Sequence, residues 1–108
     1  VDKASDRAIK KIKPGVSASD VDTAARSWIE KHGYGRYFGH GTGHGVGLNV
    51  HEYPTLSPGS SDILQEGMIV TIEPGIYLPR VGGYRQEHMV RVTGKGYQVL
   101  DYPMKGTA

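Results

Sequence analysis

The chain has 108 residues, enough for one domain or part of one, with 37% apolar residues and 16 glycines, against a usual glycine share of about 7%. Its net charge of +2 is spread with both signs along the sequence, which argues against a nucleic-acid partner, since such binders gather Lys and Arg on one face. The absence of cysteine excludes disulfides and thiolate–zinc sites and leans towards a cytoplasmic location, and no apolar run approaches the roughly 20 residues that span a bilayer.

Val1, Ala4, Ala8, Ile9 and Ile12 share one face at helical spacing. Lys10, Lys11 and Lys13 load the last turn, where cations complement the helix dipole, and Pro14-Gly15 stops the helix. Asp2, Lys3, Asp6 and Arg7 break any signal-peptide core. The helix begins at residue 1 without an N-cap, which raises the expectation of further chain upstream. Ser17 to Asp20 reads as a capping box with Asp in place of Glu. Val21, Ala24, Ala25, Trp28 and Ile29 then form the apolar stripe of a second helix, with Gly33 as its C′ residue.

The next segment is rich in glycine and histidine: His40-Gly-Thr-Gly-His44-Gly-Val-Gly-Leu-Asn-Val-His51. His40 and His44 have the spacing of two zinc ligands on a helix. Glycines at 41, 43, 45 and 47 oppose that, each costing a helix about 1 kcal/mol. In an extended chain His40, Thr42, His44, Val46 and Leu48 share one face, and the bare glycine face lets another strand or a substrate approach closely. A glycine-rich turn carrying incidental histidines is the plain alternative.

Pro54 to Gly67 reads as a surface loop. Met68 to Ile72 reads as a strand ending in Glu73-Pro-Gly, and Ile76 to Leu78 continues extended to Pro79. Gly82-Gly83 turns the chain into a strand from Tyr84 to Val92. Thr93 to Gly96 turns it again into a short strand, Tyr97 to Leu100. The expected fold class is α+β, with two helices packed on one face of an antiparallel sheet.

Glu73, at the end of an apolar strand, needs a partner once partly buried. Arg85 or Arg91 would serve as a salt-bridge partner, and so would a metal. Glu87 falls on the same strand face as Arg85, which suggests a simple ion pair. Taken with His44, the two glutamates form an N/O ligand set suited to Mn²⁺, Co²⁺, Fe²⁺ or Zn²⁺.

Three motifs carry a resemblance: His40-Gly-Thr-Gly-His44-Gly-Val-Gly-Leu with Val-His51-Glu; Thr-Ile-Glu73-Pro-Gly-Ile-Tyr; and Gly-Gly-Tyr-Arg85-Gln-Glu87. In their order and spacing the chain resembles the proline-specific metallopeptidases, the Xaa-Pro dipeptidases (prolidases) and aminopeptidase P, of the creatinase-like pita-bread fold. The likeness extends to Ile12-Lys-Pro-Gly-Val16, Ala25-Arg26 and Gly33-Tyr-Gly-Arg-Tyr-Phe38.

The resemblance implies that His44, Glu73 and Glu87 are metal ligands, with Glu87 bridging two ions, Mn²⁺ or Co²⁺ foremost. It implies that His40 and His51 contact substrate and stabilise or shuttle charge at the scissile peptide. Arg85 would orient Glu87 or bind a substrate carboxylate. The implied substrate is an Xaa-Pro dipeptide or a peptide with proline second, and Glu73 or Glu87, once protonated, would hand a proton to the leaving proline nitrogen.

The family supplies two further aspartate ligands from strands preceding the first helix seen here, and none of Asp2, Asp6, Asp20, Asp22, Asp62 or Asp101 stands in such a motif. His88 and Gln86 also depart from common family residues without removing a ligand. The expectation is therefore that residues 1–108 form the C-terminal portion of a pita-bread catalytic domain, inactive alone and completed by its N-terminal half. Homodimerisation, the family habit, is the other expected association. The competing readings are a non-catalytic peptide- or protein-binding module of the same fold and a metal-free structural domain.

Overall fold

The computed structural model describes residues 2–46 and 54–100. Helix α1 spans Asp2–Lys11 and α2 spans Ala18–Lys31. Ser17 caps α2 in extended backbone, its side chain accepting the Ser19 N–H at 3.2 Å. The cap thus falls one residue short of Asp20, whose N–H goes to the Ser17 carbonyl at 3.0 Å. At the other end, Gly33 has a φ of +87°. Its N–H bonds Glu30 O, and Tyr34 N–H bonds Ile29 O, both at 3.0 Å. This is the paired closure that a glycine at C′ permits. The helices press small residues together: Ala4, Ala8, Ile9 and Ile12 of α1 and Ala18, Val21, Ala25 and Ile29 of α2 are all buried. Lys10, Lys11 and Lys13 are exposed, as a solvated helix end requires.

A single 3₁₀ turn, Gly35–Tyr37, leads into short strand β1, Gly43–His44. The remaining strands are β2 (Thr55–Leu56), β3 (Ile69–Ile72), β4 (Gly75–Leu78), β5 (Gly82–Arg85), β6 (His88–Thr93) and β7 (Gly96–Val99). Strands β3, β6 and β7 form an antiparallel sheet in that order, β4 pairs with β5, and β1 with β2. Val70, Ile72, Val90 and Val92 turn into the helical layer with Leu56 and Leu64 to complete the core. The expected α+β architecture is the one observed.

Three local expectations need correction. The strand expected from Tyr84 to Val92 is two strands, interrupted at Gln86-Glu87. Opposite that gap lies another, at Glu73-Pro74, where proline has no N–H to give a ladder. The chain reverses at Pro79 to Val81, not at Gly82-Gly83: Val81 N–H bonds Leu78 O at 3.2 Å, and Arg80 takes a φ of +67°. Residues 54–67 are more than a surface loop. They contain β2, bury Leu56 and Leu64, and send Leu64 N–H to Val16 O at 2.9 Å.

Candidate functional site

The glycine–histidine segment runs between β2 and β3. Thr42 N–H bonds Leu56 O at 2.7 Å and Gly45 N–H bonds Pro54 O at 2.8 Å. On its other side Glu73 N–H bonds Thr42 O at 2.6 Å and Val46 N–H bonds Ile69 O at 2.8 Å. The extended reading of this segment therefore holds for residues 42–46. Its bare glycine face also does what was expected. A β-carbon on Gly43 would overlap the Thr71 carbonyl oxygen, and one on Gly41 would lie 2.9 Å from Leu56 O. Thr42 departs from the shared face: it is fully buried and its hydroxyl turns to Asp22.

His40 and His44 are locked in the same way. Each ring's Nδ1 meets the carbonyl of the glycine that follows it, Gly41 at 2.6 Å and Gly45 at 2.9 Å. A carbonyl can only accept, so Nδ1 carries the proton in both rings, and the outward nitrogen is Nε2. Nε2 of His40 lies 3.1 Å from the Tyr77 hydroxyl, which donates to it. Nε2 of His44 lies 3.3 Å from Glu73 Oε2. The other Glu73 oxygen, Oε1, lies 3.6 Å from Arg85 Nη1.

Glu73 is the pivot of this arrangement. Its side chain is 14% exposed, against 26% for His44 and 49% for Arg85. Burial of that degree asks for a cationic partner. Of the two arginines considered, Arg85 supplies it; Arg91 instead donates to Gln98 Oε1 at 2.9 Å. The ion pair expected between Arg85 and Glu87 is replaced by this one with Glu73.

Glu87 is placed by register. Ile72 pairs with His88, and Gly75 pairs with Arg85. The same register runs through both gaps, so Glu87 falls opposite Glu73. Like charges at opposed positions repel, and Glu87 is exposed. Accordingly, among the described residues no three His, Asp or Glu side chains gather into a group that could hold a metal ion. The structure brings His44 to Glu73, leaves Glu87 apart, and places His40 with Tyr77. His51 lies outside the described residues.

The donor chemistry of the assembled pair fits a divalent ion. Metal-binding histidines commonly donate the second ring N–H to a carbonyl or carboxylate, as His44 does to Gly45. Ligand bonds of about 2.0–2.2 Å let one ion touch two donor atoms spaced as His44 Nε2 and Glu73 Oε2 are.

Three residues beside the site have no role assigned by the sequence. Tyr77 lies across Gly83, where a β-carbon would overlap its ring, and points its hydroxyl at His40. Asp22 and Arg26 form a buried ion pair beneath the His40 segment. A cavity of about 760 Å³ lies between α1 and α2 and is lined by Lys3, Arg7, Lys10, Asp20 and neighbours. None of His40, His44, Glu73, Arg85 or Glu87 lines it.

Comparison with known proteins adds to this geometry. A family model described as metallopeptidase family M24 matches residues 1–94. The chain is 48% identical over 97 residues to the Xaa-Pro dipeptidase of Pyrococcus horikoshii, a match covering 90% of this chain and 28% of that protein. It is 55% identical over 97 residues to a putative dipeptidase of Bacillus subtilis, covering 89% and 27%. The crystal structure of the Pyrococcus horikoshii OT3 prolidase superposes with a TM-score of 0.88 at 46% identity, covering 92% of this chain and 28% of that one. The chain thus spans a little over a quarter of the length of these relatives.

Proposed function

The chain belongs to metallopeptidase family M24, and from that premise we propose that it is the C-terminal portion of a catalytic domain that hydrolyses the peptide bond before proline. Its fold is the α+β arrangement of the pita-bread prolidases. The substrate class is an Xaa-Pro dipeptide or a peptide with proline second, by analogy with the dipeptidase relatives. The observation that carries the proposal is the His44 Nε2–Glu73 Oε2 spacing of 3.3 Å, with the far side of the imidazole locked on Gly45.

In this reading His44, Glu73 and Glu87 hold divalent metal, Mn²⁺ or Co²⁺, with Zn²⁺ or Fe²⁺ as further options. A bound divalent ion supplies Lewis acidity at the scissile carbonyl. Further ligands, two aspartates by family resemblance, come from outside residues 1–108, so this chain alone is inactive.

The chain's own residues do the rest. Glu73 sits in a strand gap with its amide held by Thr42, which fixes the carboxylate beside His44. Arg85 meets its second oxygen at 3.6 Å and, by family resemblance, is assigned to a substrate carboxylate. His40 presents Nε2 as an acceptor and Tyr77 supplies a hydroxyl beside it, a pair suited to holding a proton near the scissile peptide. Cleavage forms a carbon–oxygen bond from water and breaks the carbon–nitrogen bond to proline. The proton that water loses passes to Glu73 or Glu87, which hands it to the departing nitrogen. His51 is assigned to substrate contact on sequence alone.

The test is cleavage of an Xaa-Pro dipeptide by the longer protein carrying this chain, with Mn²⁺ or Co²⁺ and after chelation. His44→Ala is expected to abolish metal-dependent cleavage with the fold kept; retained activity would sink the ligand assignment. A second reading, a non-catalytic peptide- or protein-binding module, is favoured by the lack of a three-ligand cluster among the described residues. Xaa-Pro cleavage by the longer protein separates the two, and metal titration of the 108-residue chain reads how much of the site it holds. Two ions per chain would mean a complete site, and one weak ion or none half of one.

A further inference from the structure

Asp22 is 1% exposed, the most deeply buried charge among the described residues. Its carboxylate grips Arg26 through both oxygens, Oδ2 to Nε at 2.9 Å and Oδ1 to Nη2 at 3.1 Å. Arg26 does not stop there. Nη1 donates to the Phe38 carbonyl at 3.2 Å and Nη2 to the His40 carbonyl at 2.9 Å, while the guanidinium lies 4.1 Å over the Phe38 ring. Oδ1 of Asp22 also accepts the Thr42 hydroxyl at 2.8 Å and shares the Thr42 N–H with Leu56 O, at 3.1 Å. One ion pair on α2 therefore fastens residues 38, 40 and 42, the backbone on both sides of His40.

We infer that Asp22 and Arg26 are positioning residues for His40, setting the direction and tautomer of its imidazole through the peptide groups that flank it. This rests on the reading above that His40 meets substrate. His40 stands between Gly39 and Gly41, the residue type with the most backbone freedom. Neither neighbour has a side chain to restrain the loop, so the restraint comes from below. In a trans peptide the N–H and C=O point opposite ways. Holding the Thr42 N–H towards Asp22 and Leu56 therefore turns the Gly41 carbonyl away from them, and there it meets His40 Nδ1. With Nδ1 committed as a donor, Nε2 is left to accept from Tyr77. Arg26 fixes the preceding peptide through the His40 carbonyl. The planar fork of arginine reaches the carboxylate and two carbonyls together, which a lysine ammonium on a single stem does not reproduce.

The test is long-range ¹H–¹⁵N NMR of the histidine rings in the ¹⁵N-labelled chain, unsubstituted and as Arg26→Lys and Asp22→Asn. The unsubstituted chain is expected to show one Nδ1–H tautomer at His40. In Arg26→Lys the His40 signals should move towards a tautomer mixture while those of His44 hold. In the Xaa-Pro assay the same variant should lose roughly 10- to 100-fold in kcat, with KM changed far less. A folded Arg26→Lys with His40 unaltered would overturn the inference. So would His40 and His44 shifting together, the mark of general loosening. If neither variant folds, the Arg26 guanidinium of the unsubstituted chain decides: resolved, slowly exchanging Nη signals support the clamp, and one averaged signal overturns it. Lack of Xaa-Pro cleavage by the unsubstituted longer protein would instead overturn the peptidase reading, a failure the ring spectra tell apart.

Discussion

Gly43 lies so close to the Thr71 carbonyl that no β-carbon fits between them. The obstacle is backbone on a strand buried on its inner face, so neither side can yield cheaply. That contact seats His44 beside Glu73, because the Thr71 side chain also takes the His44 N–H at 3.1 Å.

Gly43→Ala is therefore expected to destabilise the fold by about 3 kcal/mol, the upper part of the usual range for overpacking. Gly39→Ala is the control: its β-carbon meets nothing within 4 Å and its backbone asks for no positive φ. It should stay within about 0.5 kcal/mol. Urea denaturation of both variants checks the pair, and equal midpoints would refute the close-approach account.

The two glutamates should separate by burial. Glu73→Gln removes the carboxylate that meets both His44 and Arg85, and is expected to abolish Mn²⁺ binding in calorimetric titration of the longer protein. Glu87→Gln touches an exposed group opposite a like charge. It should leave metal-free stability within about 0.5 kcal/mol, while weakening Mn²⁺ affinity. Unchanged affinity in Glu87→Gln would remove that residue from the ligand set.

Metal that binds only the folded chain must raise its melting temperature by mass action. At a free Mn²⁺ concentration 100 times Kd the gain is about 2.7 kcal/mol, which for a domain of this size is a shift of roughly 10 °C or more. Calorimetry with and without EDTA reads it. An unmoved transition at millimolar Mn²⁺ and Co²⁺ would leave His44 and Glu73 as a plain side-chain contact in the isolated chain.

Arg80 carries the left-handed position of the turn after Pro79, with φ +67°, where a type II turn prefers glycine. A non-glycine residue there costs on the order of 1 kcal/mol. Arg80→Gly should recover part of that cost, a few tenths of a kcal/mol after the extra unfolded-state entropy of glycine is met. A lowered urea midpoint would show that Arg80 makes a compensating contact.

Helix α2 was legible from both ends, because a capping serine and a C′ glycine act within a few residues of themselves. The buried stripe was less so. Asp22 sits among Ala18, Ala25 and Ile29 on the buried face, yet Asp followed four residues later by Arg reads locally as an exposed helix pair. Its place in the apolar stripe was the signal available. The division of the long strand at Gln86-Glu87 was hidden for another reason: the break is set across the hairpin by Pro74, not by those two residues. His44 and Glu73 were legible as a pair through their motifs. The Tyr77–His40 bond was not, since it joins residues 37 apart through a hairpin whose turn was placed too late.

The gaps at Glu73-Pro74 and Gln86-Glu87 divide the hairpin into two ladders, β3 with β6 and β4 with β5, with four residues between them outside the named strands. Both carboxylates ride on that joint. Glu73 is anchored there from outside the hairpin, its N–H on the Thr42 carbonyl, while Glu87 is exposed on the facing strand. Under the proposed metal reading one acidic ligand is thus fixed and the other free to settle last, and a series of divalent ions is expected to differ in affinity by coordination preference.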